Sequence, residues 1–371
     1  MKILSLSRHY SNNKICCFLF EFYFILAFFT LSYSSNIYIV FSFVFFPFIF
    51  KNEKRNIIIH VLYLIFILLI FLYALERGWH DAFRIYKTLI ILLPFFIFNI
   101  LKNEKYKLSF LFDTFIWINV LFIYIDFVLY YFTGNTILPV KFSDFMPRFG
   151  AFIEDSNFYS YLVIVYLFYK KSITGVYNKF ILFSIVLSGS FSAIFASIVL
   201  FFLYPRIENK QSDLSYTKTR FRICAITITI FLGYCIFIIY ANDIIDWIST
   251  LELNDLLKLK MVSMTHRFSA QYESLAQLFT TNKLFLGEGA GATIKTNDIG
   301  INLHNSYFQL FLESGALLTC VVFFILYRMA KQIRDLKFLL LFCTIFLLGN
   351  MLEVFYFPLL SFIYFFSFSN E

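Results

Sequence analysis

Charge is what this chain has least of. Asp, Glu, Lys and Arg make up only 15% of its 371 residues, against 60% hydrophobic and 22% aromatic. A soluble domain carries nearer a quarter charged residues. The composition therefore excludes a water-soluble globule and identifies an integral membrane protein, as the mean hydropathy of +0.76 also requires. Residues that build metal sites are equally scarce. The five histidines (His9, His60, His80, His266 and His304) show no pairing at zinc spacing. The cysteines Cys16, Cys17, Cys224, Cys235, Cys320 and Cys343 all sit in apolar runs, without metal spacing or a loop framework. They read as small buried hydrophobes.

Other absences narrow the chemistry. No Asp-x-Asp is present, so the usual metal–sugar-nucleotide signature is missing, and no Gly-x-Ser-x-Gly elbow marks a hydrolase. "GEGAG" at 287–291 superficially resembles a phosphate loop. No strand precedes it and no Lys-Ser/Thr follows, so a turn allowing close backbone approach is the better reading. The net charge of +8 is dispersed through short loops, which argues for membrane orientation and against a nucleic-acid partner. Internal repeats and low-complexity linkers are not evident.

What the chain does contain is long apolar runs. Crossing about 30 Å of hydrocarbon takes roughly 20 residues. Spans are expected near 15–33, 35–50, 57–75, 85–101, 109–132, 157–169, 223–240, 305–327, 338–352 and 355–368. The run 180–204 has basic flanks on both sides, and "SGSFS" at 188–192 offers a break. Two short helices folding back on each other satisfy both features. The expected fold is therefore all-α: a polytopic membrane protein of about 12 transmembrane helices in one integral domain, 1–371. Of the 31 Lys and Arg, 21 fall at 1–14, 51–55, 102–107, 170–179, 206–222 and 328–337. Twelve spans put all six segments on one side, so both termini are expected in the cytoplasm. Two outer loops follow: 133–156, and a large one at 241–304 with amphipathic helical character.

The polar residues that remain cluster on that outer face. Arg148 precedes a helix that opens at Asp155, Ser156 or Asn157, all good N-cap types. Arg148 also suits a snorkelling anchor, and Arg267, on the amphipathic loop helix, a solvated charge. His304 stands at the start of a later helix. Asn305, Gln309 and Glu313 follow at i, i+4, i+8, a polar stripe that must face the bundle interior or a wet cavity. Interhelical hydrogen bonding is the structural account of that stripe. Acids in other spans, among them Asp113 and Asp126, keep ion coupling open.

"RFGAFIEDSNFYSYL" resembles the Arg–Gly–Phe–Asp/Asn–Pro–Asn signature of the O-antigen ligase and polymerase superfamily. "LFTTNKLFLGEGAG…LHNSYFQLFLESGAL", with the Arg before it, resembles the second signature: Gly-x-Gly, then His-Asn-x-Tyr, then Glu-x-Gly. The likeness spans about 145 to 320. Ser156 replaces the usual Pro, and Phe191 stands where an Arg is common. The resemblance implies metal-independent, inverting glycosyl transfer at the periplasmic face of the bacterial inner membrane, with no cofactor. The implied donor is a glycan on undecaprenyl diphosphate, and membrane lipid and a chain-length regulator protein are the other implied partners. Arginines hold phosphate oxygens bidentately and stay charged, which suits Arg148 and Arg267 to the diphosphate. His304 has the pKa range of a general base near neutral pH. Asn305, Asn157 and Glu313 are expected to position the acceptor or the helix. A polymerase and a ligase share this donor chemistry. The Phe-, Ile-, Asn- and Lys-heavy composition resembles polymerases. A lipid-linked-oligosaccharide flippase or other transporter predicts symmetric halves, which are not seen. A scaffold leaves the polar stripe unexplained.

Overall fold

A computed structural model describes residues 57–79, 105–143, 146–153, 155–208, 213–240, 255–281, 283–289, 305–349 and 359–367, with 243, 244, 246, 247, 250 and 292. Helix dominates. In chain order the helices are α1 (Ile57–Arg77), α2 (Lys105–Thr133), α3 (Ser156–Thr174), α4 (Lys179–Leu187), α5 (Phe191–Glu208), α6 (Asp213–Ile239), α7 (Asp255–Thr280), α8 (Ser306–Gln332), α9 (Leu336–Leu348) and α10 (Leu359–Phe366). A two-stranded antiparallel hairpin, β1 (Lys141–Ser143) and β2 (Met146–Arg148), pairs Lys141 with Arg148. Among the described residues three helical segments are long and apolar enough to cross a membrane: Ser109–Thr133, Tyr216–Ile239 and Ser306–Gln332. The chain is thus a helical protein with the hallmarks of a membrane protein. The spans expected at 15–33, 35–50 and 85–101 lie outside the described residues.

The packing centres on α3. Every residue from Tyr159 to Tyr169 is buried, as expected of a helix apolar on all sides. Helices α2, α4, α5, α9 and α10 pack around it. Its start is fixed by Asp155, whose carboxylate accepts from Asn157 N and Phe158 N, and its end by Gly175 in the left-handed region (φ 73°). That is a side-chain N-cap and a glycine C-cap.

The break expected in 180–204 falls at 188–190, between α4 and α5. Gly189 takes the positive φ (73°) that the turn needs. The serines around it are buried and bonded: Ser160 Oγ meets Ser188 Oγ at 2.6 Å, and Tyr159 OH donates to Ser184 Oγ at 2.6 Å.

Helix α8 is also interrupted. Gly315 has φ 73° and ψ −179°, well outside helical values. Such a break frees peptide groups inside an apolar segment, where they must find protein partners. Segment 284–289 supplies them. Glu288 N donates to Leu312 O (2.7 Å), Gly289 N to Glu313 O (3.1 Å), and Ala316 N to Leu284 O (2.8 Å). The approach is so close that a Cβ on Gly315 would lie 2.2 Å from Phe285 O, and one on Gly287 would lie 2.6 Å from Gly315 N. Residues 287–289 of the glycine-rich stretch therefore form a close-approach turn, and its partner is a break in this same chain.

Candidate functional site

Arg148 ends β2, where the chain turns toward α3. Its Nη2 donates to Asn157 Oδ1 at 2.7 Å. Asn157 lies in the first turn of α3 and is not the cap: Asp155 fills that role. Ser190 Oγ, from the α4–α5 turn, donates to the same Asn157 oxygen at 2.8 Å. The Arg148 Nε is buried and has no hydrogen-bond partner. The nearby carboxylate, Asp155, is engaged elsewhere, with Oδ1 on the helix end and Oδ2 3.6 Å from the exposed Lys141.

Arg267 lies on α7, half-buried. Burial, and then the like charge of Arg148, pull its pKa below the ordinary arginine value, while Tyr234 acts in the opposite sense. The two cations are thus close enough to repel. Among the described residues no ion pair forms with either. One helical turn after Arg267 stands Gln271, which is fully buried. Its Oε1 accepts from Tyr234 OH and from Asn305 Nδ2, both at 3.2 Å. So α6, α7 and α8 meet at one amide, and Arg267 shares a helix face with it.

Asn305 is the N-cap of α8, its Oδ1 accepting from Tyr307 N and Phe308 N. That helix end is held firmly against α9. Ser306 N donates to Gly349 O at 2.9 Å, and Tyr307 OH to Phe346 O at 2.6 Å. His304 lies outside the described residues, but it directly precedes this fixed cap. Gln309 Nε2 reaches Glu313 Oε1 at 3.5 Å, and the Glu313 carbonyl also accepts from Tyr73 OH at 2.8 Å. Glu313 is eight residues beyond Asn305, about 12 Å along a helix. Its surroundings are those of the break at Gly315.

The structure therefore brings together Arg148, Asn157 and Ser190 in one group, and Arg267, Gln271, Tyr234 and Asn305 in another, coupled through the two guanidiniums. Ser190, Gln271 and Tyr234 were not singled out from sequence. Gln271 sits four residues past Arg267, a spacing that could have shown it. Among the described residues no group of three His, Cys, Asp or Glu converges to hold a metal. The two cations are surrounded by neutral amides and hydroxyls, with no ion pair to either among the described residues. No protein-family model matches the chain, and neither the curated proteins nor the solved structures contain a match to it.

Proposed function

We propose that this chain is a bacterial inner-membrane glycosyltransferase resembling the O-antigen ligase and polymerase superfamily. As a polymerase it moves an undecaprenyl-diphosphate-linked glycan onto a lipid-linked repeat unit at the periplasmic face. The observation that supports the reading is the electrostatic coupling of Arg148 and Arg267, which come from distant parts of the chain and form no ion pair among the described residues. Like charges held together in the unliganded protein are costly, and a diphosphate removes that cost.

The guanidiniums hold the diphosphate, where negative charge grows as the bond to the anomeric carbon breaks. His304 takes the proton of the acceptor hydroxyl. The hydroxyl oxygen attacks the anomeric carbon from the opposite face, and the bonding pair leaves with the diphosphate, inverting the configuration. Asn305 caps the start of α8, the helix that follows His304 in sequence. The charge distribution supports both termini in the cytoplasm.

Deleting the gene and resolving the lipopolysaccharide on a gel tests this. A polymerase null leaves a single repeat on the core. Bare core with accumulated lipid-linked polymer assigns the ligase reaction instead, and an unchanged surface glycan rejects both.

A further inference from the structure

We propose that Asn157 is a positioning residue for Arg148: a neutral acceptor, itself held by Ser190, that fixes the guanidinium without neutralising it. The inference rests on the reading of Arg148 and Arg267 as diphosphate ligands.

The contacts distinguish this from ordinary packing. A carboxylate is the stronger partner for an arginine, and a purely structural contact would favour one. Asp155 is only two residues away, yet its oxygens face the α3 amides and Lys141. The group presented to Arg148 is an amide oxygen at 2.7 Å. That oxygen receives a second donor, Ser190 Oγ, from a different element. Two donors converging from β2 and from the α4–α5 turn fix both the rotamer and the orientation of the amide, since its nitrogen could accept neither.

Ser190 is in turn well placed. The turn that carries it is buried, and Ser188 Oγ contacts both Ser160 Oγ (2.6 Å) and Ser190 N (3.4 Å). A line of small hydroxyls therefore runs from α3 through the turn to Asn157 and Arg148. One guanidinium nitrogen is used in this way, and the buried Nε is left over. A charge kept whole, beside a second cation that burial and Arg148 already disfavour, attracts an anion more strongly than a paired one.

The test uses full-length protein in nanodiscs, with undecaprenyl diphosphate as the probe. Asn157→Asp keeps an oxygen that accepts from both Arg148 and Ser190, but adds a negative charge. Affinity is expected to fall about ten- to a hundredfold, with the thermal transition of the free protein unchanged or raised. A merely structural Asn157 predicts wild-type affinity for this variant, and that result overturns the proposal. Ser190→Ala, which frees one side of the amide, is expected to weaken binding several-fold. Should Asn157→Asp fail to fold, wild-type affinity in Ser190→Ala overturns the proposal by itself. Arg148→Ala and Arg267→Ala separate the two readings. If both bind the probe like wild type, the diphosphate assignment fails. If both lose binding while Asn157→Asp does not, only the role of Asn157 fails.

Discussion

The two ends of α8 are each attended by arginine, and the arginines behave in opposite ways. At the C-terminal end Arg220 donates to the carbonyls of Ile333 (2.7 Å), Ala330 (2.8 Å) and Lys331 (2.8 Å), and to Tyr216 OH. A cation bonded to the last carbonyls of a helix is favoured by the dipole as well as by the bonds. At the other end Arg267, one turn from the amide that holds Asn305, and Arg148 repel each other. There the dipole favours an anion, and one guanidinium nitrogen is buried without a partner. The fold uses several donors of Arg220, whereas it uses one of Arg148 and leaves its Nε over.

Variants that act on one end only can break or sharpen that contrast. The largest effect is expected from His304→Ala, which should abolish polymer growth, on the scale of 100-fold or more, with protein levels unchanged. A lipopolysaccharide ladder with an immunoblot reads it, and a normal ladder removes His304 from the chemistry. Next, Arg148→Ala and Arg267→Ala should each cut activity about 100-fold while leaving the melting temperature of the free protein level or higher, because a repulsion is relieved. Differential scanning fluorimetry alongside the activity assay shows whether the two readouts part in this way.

Arg220→Ala should do the reverse. Stability is expected to drop by about 2–3 kcal/mol, with the residual folded protein still active. Equal losses of activity and stability in all three variants would erase the distinction between the two ends. The smallest effect belongs to Asp155→Ala, which removes the cap of α3 and a long, solvent-exposed contact with Lys141, about 1 kcal/mol by thermal unfolding.

Much of the helical frame was legible because it is local. The turn at 188–190, the cap at Asp155 and the helix beginning at Asn305 all follow from a few adjacent residues. Helix ends were less legible. The span expected at 157–169 continues as helix to Thr174, because hydropathy stops at Lys170 while the helix does not: Lys170 meets Asp113 of α2 at 2.6 Å. The break at Gly315 was hidden for another reason. "LESGA" reads as continuous helix until segment 284–289 is laid against it, and backbone pairing leaves no side-chain pattern. The candidate site mixes both cases. Arg148, Arg267 and Asn305 could be named from residue type and neighbours, but the approach of the two arginines, and the grip of Ser190 on Asn157, are tertiary facts.

The joint at Gly315 also sets where this protein is able to flex. Leu312, Glu313, Ala316 and the residues opposite them, Leu284, Glu288 and Gly289, share their peptide hydrogens. Separating them would bare several peptide groups within an apolar helix, each at a cost of several kcal/mol. The amides of Glu288, Gly289 and Ala316 should therefore exchange with deuterium as slowly as those of the central helix α3, although two of them belong to a turn. Segment 284–289 and the middle of α8 then move as one piece, and any hinge in this protein must lie elsewhere.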